Sequence, residues 1–210
     1  SSHVAMWADD HGVECIKVGK AVEMAAHLDE IDCVVTVAFG ILLPQEILSI
    51  PRHGFINLHF SLLPAWRGAA PVQRAIESGD NELGISVFSL DEGMDTGPIY
   101  RQSSFLRDPS MRSKEALEFL GEQGVALIAQ TLEDISHGVP PIKQSEQGIS
   151  LARKLSKAEG LIDWTRSSSV IDRKVAAFYP NPIAYAQFRG ETLKITRSRV
   201  TSDPVTEVLL

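Results

Sequence analysis

Short apolar runs alternate with amphipathic segments over the first 140 residues of the chain. Near-continuous apolar runs bounded by turn residues are typical of strands buried on both faces of a sheet. They predict strands over residues 13–18, 32–40, 54–60, 84–90 and 98–102. Helical spacing and helix-start signals predict helices over residues 2–11, 20–28, 69–80 and 113–136, and one that begins at Pro44. This order predicts an α/β fold with a Rossmann-like, doubly wound, mostly parallel sheet.

The pattern changes beyond residue 140. Residues 150–164 read as a loop with a short strand, residues 167–179 as a helix, and residues 181–200 as a hairpin that turns at Arg189 and Gly190. We therefore expect a first domain over residues 1–140, a linking segment over 141–165 that continues it, and the start of a second domain over 166–210. The chain begins in a helix and ends among strands with few partners, so we expect an internal piece of a longer protein.

The composition restricts the class of protein. The chain is 44% hydrophobic and 22% charged, and it shows neither a signal peptide nor an apolar run near the roughly 18 residues of a membrane span. Two cysteines, Cys15 and Cys33, are too few for a disulfide framework, so we expect reduced thiols in a cytoplasmic protein. No cysteine pair or histidine cluster has the spacing of a zinc site, and no metal is expected.

The net charge of −7 is unevenly distributed. Residues 1–150 contain 10 Lys and Arg against 21 Asp and Glu, a net −11, whereas residues 151–200 contain 10 against 4, a net +6. A basic segment can bind a polyanion locally, because salt screens the acidic remainder. The alternative is a solvated basic face, and charge alone favours it.

The stretch "INLHFSLLP" places two polar side chains in a strand that is otherwise apolar. Asn57 and His59 share one face of that strand where it ends, and Asp95 lies between Gly93 and Gly97 in a turn after another strand. Ligands bind beyond the carboxyl ends of strands in open α/β sheets, so we expect the three side chains to meet there. Such a set can stabilise an oxyanion and move a proton. A histidine satisfied inside the fold is the alternative, and spacing alone leaves both open.

Longer motifs carry a resemblance to a known family. "INLHFSLLPAWRGAAPVQRAI", followed by "LDEGMDTGPIY", resembles the signature of the folate-dependent formyltransferases, and the similarity runs from "VAFGILLP" through "EGLIDW" to "FYPNPIAYAQF". The "WRGAAPVQRAI", "IDW" and "P-x-P-x-A-Y" pieces are most similar to members that formylate methionyl-tRNA. Nothing resembling the family's first strands, its "GTP"-type turn or its basic loop precedes Ser1, and Phe60 stands where many relatives carry a small residue.

The resemblance implies a reaction and roles for particular residues. An α-amino group would attack the formyl carbon of 10-formyltetrahydrofolate, with Asn57 donating to the oxyanion, His59 stabilising it or assisting proton transfer, and Asp95 pairing with His59. The folate pocket would be lined by Phe39, Gly40, Ile41, Leu42, Ser61, Leu62, Leu63, Pro64, Leu90, Asp91, Glu92 and Gly93. Methionyl-tRNA would be bound by Arg67, Arg153, Lys154, Lys194 and Arg197.

The resemblance also implies the domain functions and leaves alternatives. Residues 1–140 would form the catalytic domain, and residues 166–210 would begin a barrel-like (OB-like) domain that binds transfer RNA. We expect a monomer, since the sequence shows no heptads. The alternatives are a formyltransferase for glycinamide ribonucleotide or an amino sugar, a formyltetrahydrofolate hydrolase, or an inactive module that binds folate or RNA.

Overall fold

The computed structural model describes residues 3–201. The helices are α1 (His3–Asp10), α2 (Ala21–Met24), α3 (Gln45–Leu48), α4 (Pro71–Ser78), α5 (Ser113–Ser136) and α6 (Ser168–Phe178). The strands are β1 (Val34–Val37), β2 (Phe55–His59), β3 (Arg67–Gly68), β4 (Glu82–Ser89), β5 (Ile99–Leu106), β6 (Leu151–Ala152), β7 (Ala184–Phe188) and β8 (Glu191–Ile195). In this described part, no helix is both long and apolar enough to cross a membrane.

Most predicted elements form near their predicted positions, and α5 has the predicted bounds. The strand predicted over residues 13–18 is wrong, because these residues form no strand. Val13, Ile16 and Val18 are 51%, 49% and 40% exposed. Within residues 3–201 no neighbouring strand pairs with them, and an apolar pattern without a partner does not make a strand.

The main sheet has the strand order β1-β2-β4-β5. Only β1 and β2 run parallel, whereas β4 is antiparallel to both β2 and β5. The α/β class is confirmed, but the mostly parallel sheet predicted from the sequence is wrong for the described residues. The error has a physical cause: residues 83–88 of β4 are all buried, and burial on both faces gives an antiparallel strand the apolar run that is typical of parallel ones.

The two faces of the sheet differ. Ile56 and Leu58 of β2 pack in the main core with residues of β4, α4 and α5. Gly124 of α5 lies so close to β2 that a Cβ there would stand 2.4 Å from Leu58 Cδ2. Because side chains alternate along a strand, Phe55, Asn57 and His59 lie on the opposite face. Phe55 packs there in a second cluster with Leu28, Leu43, Ile47 and Leu48, which leaves the polar residues further along β2.

The edge strand β1 is not buried on both faces as the sequence pattern predicts. Thr36 is 6% exposed, but Val35 and Val37, which alternate with it, are 39% and 50% exposed. Within the described part of the chain, β1 pairs with one strand, β2. The apolar run of β1 therefore places valines on both faces of the strand, although the face of Val35 and Val37 is exposed.

The C-terminal part packs on the first part. Helix α6 lies against α4, and Val175 and Phe178 share the main core. The predicted hairpin forms from β7 and β8, and its turn residues Arg189 and Gly190 have φ values of 50° and 85°, as a type I′ turn requires. In residues 166–201 these two strands form a sheet by themselves, so the predicted barrel is not confirmed. The predicted domain boundaries at residues 140 and 165 remain predictions.

An ion pair joins α4 to this C-terminal part. Arg74 Nη2 donates to Glu159 Oε1 at 2.7 Å, and the Ser156 amide and hydroxyl donate to Oε2. Burial raises the pKa of the Glu159 carboxyl, but the hydrogen bonds from Arg74 and Ser156 outweigh burial and lower the pKa from 4.5 to about 2. Because the pKa is depressed in the folded state, the stabilisation is present above pH 4.5 and is lost as the pH falls towards 2.

We expect Glu159→Gln to lower the free energy of unfolding at neutral pH by about 1 kcal/mol or less, because 39% of the carboxylate side chain is exposed and the pair is screened. Urea denaturation of both proteins at neutral pH and at about pH 3 should show the difference shrinking at the lower pH. Glu146→Gln is the matched control, since the Glu146 side chain is 85% exposed in its pair with Lys143. A deficit of equal size at both pH values would contradict the assigned titration.

Candidate functional site

The polar end of β2 brings two of the predicted catalytic side chains to one face of the sheet. Asn57 and His59 are each 6% exposed, and they stand opposite Phe88 and Ser86 of β4. The His59 ring meets the Phe88 ring edge to face, with 6.3 Å between centroids. The two polar groups are therefore held in a packed environment from which most water is excluded.

A backbone carbonyl fixes the orientation of the His59 ring. His59 Nε2 lies 2.8 Å from the carbonyl oxygen of Trp66. A carbonyl oxygen is only an acceptor, so Nε2 must carry the proton and Nδ1 of the neutral imidazole carries the lone pair. Nδ1 faces Asp95 Oδ2 at 3.8 Å. The ring nitrogen that is open to gain or lose a proton is therefore the one beside the Asp95 carboxylate.

Asp95 reaches His59 by a different route from the one expected. Strand β4 runs antiparallel to β2, so its carboxyl end lies beside the start of β2, where the Leu90 amide donates to the Phe55 carbonyl at 2.8 Å. Residues 90–95 then run back along β2 until the Asp95 carboxylate meets His59. His59 and Asp95 therefore approach each other, with Asn57 on the same face of β2 as His59, but not because two strands end at the same edge.

Two glycines permit the close approach of the loops around Asp95. The Gly68 amide donates to Asp95 Oδ2 at 2.7 Å, and a Cβ at Gly68 would stand 2.8 Å from the Ala152 carbonyl oxygen. A Cβ at Gly97 would stand 1.8 Å from the Ser89 carbonyl oxygen. Asp95 itself has a φ of 54°, a conformation that costs a non-glycine residue roughly 1–2 kcal/mol. The surrounding contacts hold the Asp95 backbone in this unfavourable conformation.

A threonine on the neighbouring strand orients Asn57. Thr36 of β1 is paired with Asn57 in the parallel register, and its hydroxyl donates to Asn57 Oδ1 at 2.9 Å and lies 3.0 Å from the Ile56 carbonyl oxygen. With Oδ1 used in this way, the Nδ2 group is turned away from Thr36. Among the described residues no acceptor takes a hydrogen bond from Nδ2, so this donor is available to a ligand.

We expect Thr36→Val to lower kcat by about tenfold, because the Asn57 amide loses the bond that fixes its donor within a fraction of an ångström. Thr36→Ser, which keeps the hydroxyl, is the matched control and should retain most of the activity. Steady-state kinetics of the two variants test the assignment. Equal rates for valine and serine would show that the hydroxyl does not orient Asn57.

The residues predicted to line a folate pocket lie in three segments around the site. Ile41 and Leu42 are 53% and 63% exposed, whereas Phe39 is half-buried against the second cluster. Asp91 Oδ1 accepts hydrogen bonds from the Gly93 amide and the Thr96 hydroxyl, which shapes the loop that follows Leu90. Glu92 and Gly40 are exposed. These segments thus offer exposed apolar surface at Ile41 and Leu42, and carboxylates at Asp91 and Glu92.

The turn at residues 61–64 is held by hydrogen bonds within the protein. The Ser61 hydroxyl donates to the Ala65 carbonyl at 2.6 Å, and the Leu63 amide donates to the Ser86 hydroxyl at 3.1 Å. The peptide bond between Leu63 and Pro64 is cis. Ser61 and Leu62, with Phe60, Trp66 and Asp80, line a cavity of about 360 Å³. Asn57, His59 and Asp95 do not line this cavity.

The residues predicted to bind transfer RNA differ in exposure. Arg153, Lys154, Lys194 and Arg197 are exposed. Arg67 is half-buried, and its guanidinium donates from Nε and Nη2 to Gln144 Oε1 at 3.2 and 2.6 Å. In the described part of the chain, no group of three or more His, Cys, Asp or Glu side chains is placed to hold a metal ion.

Sequence reasoning missed two residues of this site, Thr36 and Gln144. Thr36 stands in an apolar run in which a threonine is an ordinary strand residue, and Gln144 stands in a polar loop, "KQSEQ", that reads as solvated. Nothing in the local pattern distinguishes either residue. Only the register of β1 against β2 would have pointed to Thr36, and a single sequence does not give that register.

Comparisons with known proteins give matches over most of the chain. The Formyl transferase family model matches residues 17–131, and the model for the formyl transferase C-terminal domain matches residues 154–207. The chain is 43% identical to a methionyl-tRNA formyltransferase of Neisseria meningitidis serogroup A over 175 residues, which cover 82% of this chain and 57% of that protein. It is 43% identical to the Salinispora tropica methionyl-tRNA formyltransferase over 200 residues, 92% of this chain and 65% of that protein. The chain thus spans less than two thirds of these relatives.

Solved structures share the fold at lower identity. HypX from Aquifex aeolicus, in complex with tetrahydrofolic acid, superposes with a TM-score of 0.71 at 22% identity and covers 82% of this chain and 30% of its own. An N-formyltransferase from Helicobacter canadensis, in complex with folinic acid and dTDP-3-aminofucose, has a TM-score of 0.76 at 20% identity over 94% of this chain and 71% of its own. At this identity the likeness concerns the fold alone. The match over residues 17–131 and the 43% identity to curated relatives show that the chain belongs to the formyl transferase family.

Proposed function

We propose that the protein transfers a formyl group from 10-formyltetrahydrofolate to the α-amino group of methionyl-tRNA, giving formylmethionyl-tRNA for translation initiation. The observation that carries the proposal is the arrangement at the end of β2: a free amide donor on Asn57 and a proton-accepting His59 Nδ1 facing the Asp95 carboxylate. The relatives that are 43% identical over most of this chain are named for this reaction.

The chemistry of the trio follows from its hydrogen bonds. Asn57 Nδ2 donates to the formyl oxygen, on which negative charge develops as the amine attacks, and Thr36 keeps this donor aimed. His59 takes up at Nδ1 the proton that the attacking amine releases, because Nε2 is bonded to the Trp66 carbonyl. It would return this proton to N10 of the folate as the bond between N10 and the formyl carbon breaks, so that tetrahydrofolate leaves. Asp95 then stands beside an imidazolium rather than a neutral ring, and its charge stabilises that state.

The activation free energy of formyl transfer depends more on how the amine is positioned than on how it is activated. An α-amino group has a pKa of roughly 7.7–8, so part of it is already neutral near pH 7. Burial of Asn57 and His59 strengthens their electrostatic action, since there is little water to screen them. The catalytic role of the trio is therefore to hold one donor and one proton acceptor at fixed places.

The residues present fit a reduced folate. Bound 10-formyltetrahydrofolate would supply the formyl carbon that the amine attacks. Ile41 and Leu42 expose apolar side chains beyond the end of β1, which suits a flat, partly apolar ring system. The loop from Leu90 to Gly93 is shaped by Asp91 and offers backbone groups to the polar edge of such a ring. Phe39 and Gly40, and the turn over residues 61–64, complete the proposed pocket.

Transfer RNA would meet the basic C-terminal segment. Arg153, Lys154, Lys194 and Arg197 are exposed within the segment of net charge +6, and exposed cations attract phosphate. Arg67 lies between Trp66 and Gly68, which contact His59 and Asp95. Among the described residues its Nη1 has no partner, and this supports a contact with an acceptor-end phosphate. Location in the cytoplasm and a monomeric state remain predictions from the sequence.

The test is formyl transfer from 10-formyltetrahydrofolate by the full-length protein, offered methionyl-tRNA, glycinamide ribonucleotide, an amino sugar nucleotide and water in separate reactions. Formylmethionyl-tRNA as the main product supports the proposal. Formylation of another amine would keep the site and change the acceptor, and release of formate without an acceptor would indicate a hydrolase. Folate binding without any turnover would overturn the enzymatic proposal in favour of a binding module.

A further inference from the structure

Gln144 is a buried polar residue outside the trio that contacts two of the segments that build it. It lies in the loop between α5 and β6 and is 6% exposed. Two residues earlier, Ile142 exchanges two backbone hydrogen bonds of 2.7 Å with Ile99 at the start of β5. This pair anchors the loop beside the segment that contains Asp95, so the Gln144 side chain enters the site from a fixed backbone.

The carboxamide of Gln144 uses all of its hydrogen-bonding capacity. Its Oε1 accepts from Arg67 Nε at 3.2 Å and from Arg67 Nη2 at 2.6 Å. Its Nε2 donates to the carbonyl oxygens of Asp95 at 2.9 Å and Gly97 at 2.7 Å. A guanidinium only donates and a carbonyl only accepts, so the amide has one allowed orientation. The residue is therefore a bridge between two specific partners.

These bonds close a ring around the catalytic side chains. On one side, Trp66 holds His59 through its carbonyl, and Gly68 holds Asp95 through its amide. Arg67 lies between them in the chain, and Gln144 connects Arg67 to the Asp95 backbone. Asp95 has a left-handed φ of 54°, which is unfavourable without such support. Removal of the bridge would free the Asp95 backbone to relax and move its carboxylate away from His59.

We propose that Gln144 is a positioning residue that holds the Asp95 carboxylate against His59 by clamping the Asp95–Gly97 backbone to Arg67. The inference rests on the proposed function, since it concerns the same proton-transfer pair. Gln144 touches none of the reacting atoms and acts through Asp95. Its loss should therefore slow the chemical step and leave the binding of the folate unchanged.

Gln144→Met tests the clamp, because methionine is close to glutamine in size and has neither the donor nor the acceptor. We expect kcat to fall by about tenfold or more, with KM for the folate within about twofold, since small misplacement of a catalytic group is costly. Gln144→Glu is the second variant: it keeps the acceptor for Arg67 but presents oxygens to the Asp95 and Gly97 carbonyls, and should lose as much. Gln147→Met is the matched control, since Gln147 is exposed in the same loop.

A double-mutant cycle separates positioning from a general loss of structure. If Gln144 acts through Asp95, then adding Gln144→Met to Asp95→Asn should lower kcat little further, because coupled residues are not additive. If kcat of the double variant instead fell by the product of the two single losses, the inference would be overturned. An increase in KM at unchanged kcat would also overturn it, as would a glutamate variant with the activity of the unmodified protein.

Hydrogen exchange at the Gly68 amide gives a readout that needs no turnover. This amide donates to Asp95 Oδ2, so Gln144→Met should speed its exchange by about tenfold or more as the carboxylate withdraws. The Gly79 amide, bonded to carbonyls of its own helix, should exchange as before. Unchanged exchange at Gly68 overturns the clamp. Should the unmodified protein make no formylmethionyl-tRNA, the proposed function fails, and the Gly68 comparison still decides the role of Gln144.

Discussion

Replacement of Asn57 by alanine is expected to lower kcat by at least about a hundredfold, equivalent to about 2.7–4 kcal/mol, the usual cost of losing one oxyanion donor. The physical reason is the state of its amide: Oδ1 is held by the Thr36 hydroxyl at 2.9 Å, and Nδ2 is left to donate. KM should change little, because the bond strengthens as charge develops on the formyl oxygen. Steady-state kinetics with methionyl-tRNA measure both quantities.

Asn57→Asp separates donation from packing. Aspartate has nearly the same shape and can still accept from Thr36, but it presents no N–H to the formyl oxygen. We expect it to be as inactive as the alanine variant, although it leaves no cavity. If the aspartate variant, or the alanine variant, kept a rate within about threefold of the unmodified protein, Asn57 would not be an oxyanion donor.

Replacement of His59 by alanine should likewise lower kcat by at least about a hundredfold, within the range for loss of a general acid or base. The structure ties this expectation to one nitrogen. Nε2 is bound to the Trp66 carbonyl at 2.8 Å, and Nδ1 faces Asp95 at 3.8 Å, so the proton must move at Nδ1. Single-turnover measurement of formyl transfer would show the loss in the chemical step.

His59→Gln gives the sharper comparison, because glutamine can donate to the Trp66 carbonyl as the imidazole does but cannot take up a proton. We expect it to be about as slow as alanine. His27→Ala is the matched control, since His27 is exposed on the 3-10 helix Ala25–His27 and should leave the rate unchanged. A glutamine variant with most of the activity would show that His59 acts only as a structural donor.

The fold could be predicted where local chemistry determines it. The bounds of α5 follow from its spacing and its end signals, and the β7–β8 turn follows from Arg189 and Gly190, where a glycine accepts a positive φ. The direction of β4 could not be predicted, because burial on both faces gives its residues the pattern of a parallel strand. The strand predicted over residues 13–18 was wrong for a related reason. Whether a segment forms a strand depends on a neighbouring strand to pair with, and the local sequence pattern does not show one.

The candidate site was predictable only as far as its motifs extend. Asn57, His59 and Asp95 were predicted from motifs, and His59 Nδ1 lies 3.8 Å from Asp95 Oδ2. The contacts that hold these side chains come from residues without a signature. Trp66 contributes a carbonyl, Gly68 an amide and Gln144 a side-chain amide. Backbone groups are the same in every residue, so a sequence does not show which of them will meet a catalytic side chain.

The return of residues 90–95 along β2 has an evolutionary consequence. This segment starts beside Phe55 and must bring Asp95 level with His59, four strand positions away, or about 13 Å at about 3.3 Å per residue. Five residues span at most roughly 17–18 Å when fully extended. Surface loops generally tolerate insertions and deletions, and this one has a few ångströms of reach to spare. A loop two residues shorter would span at most about 11 Å and would no longer bring Asp95 level with His59.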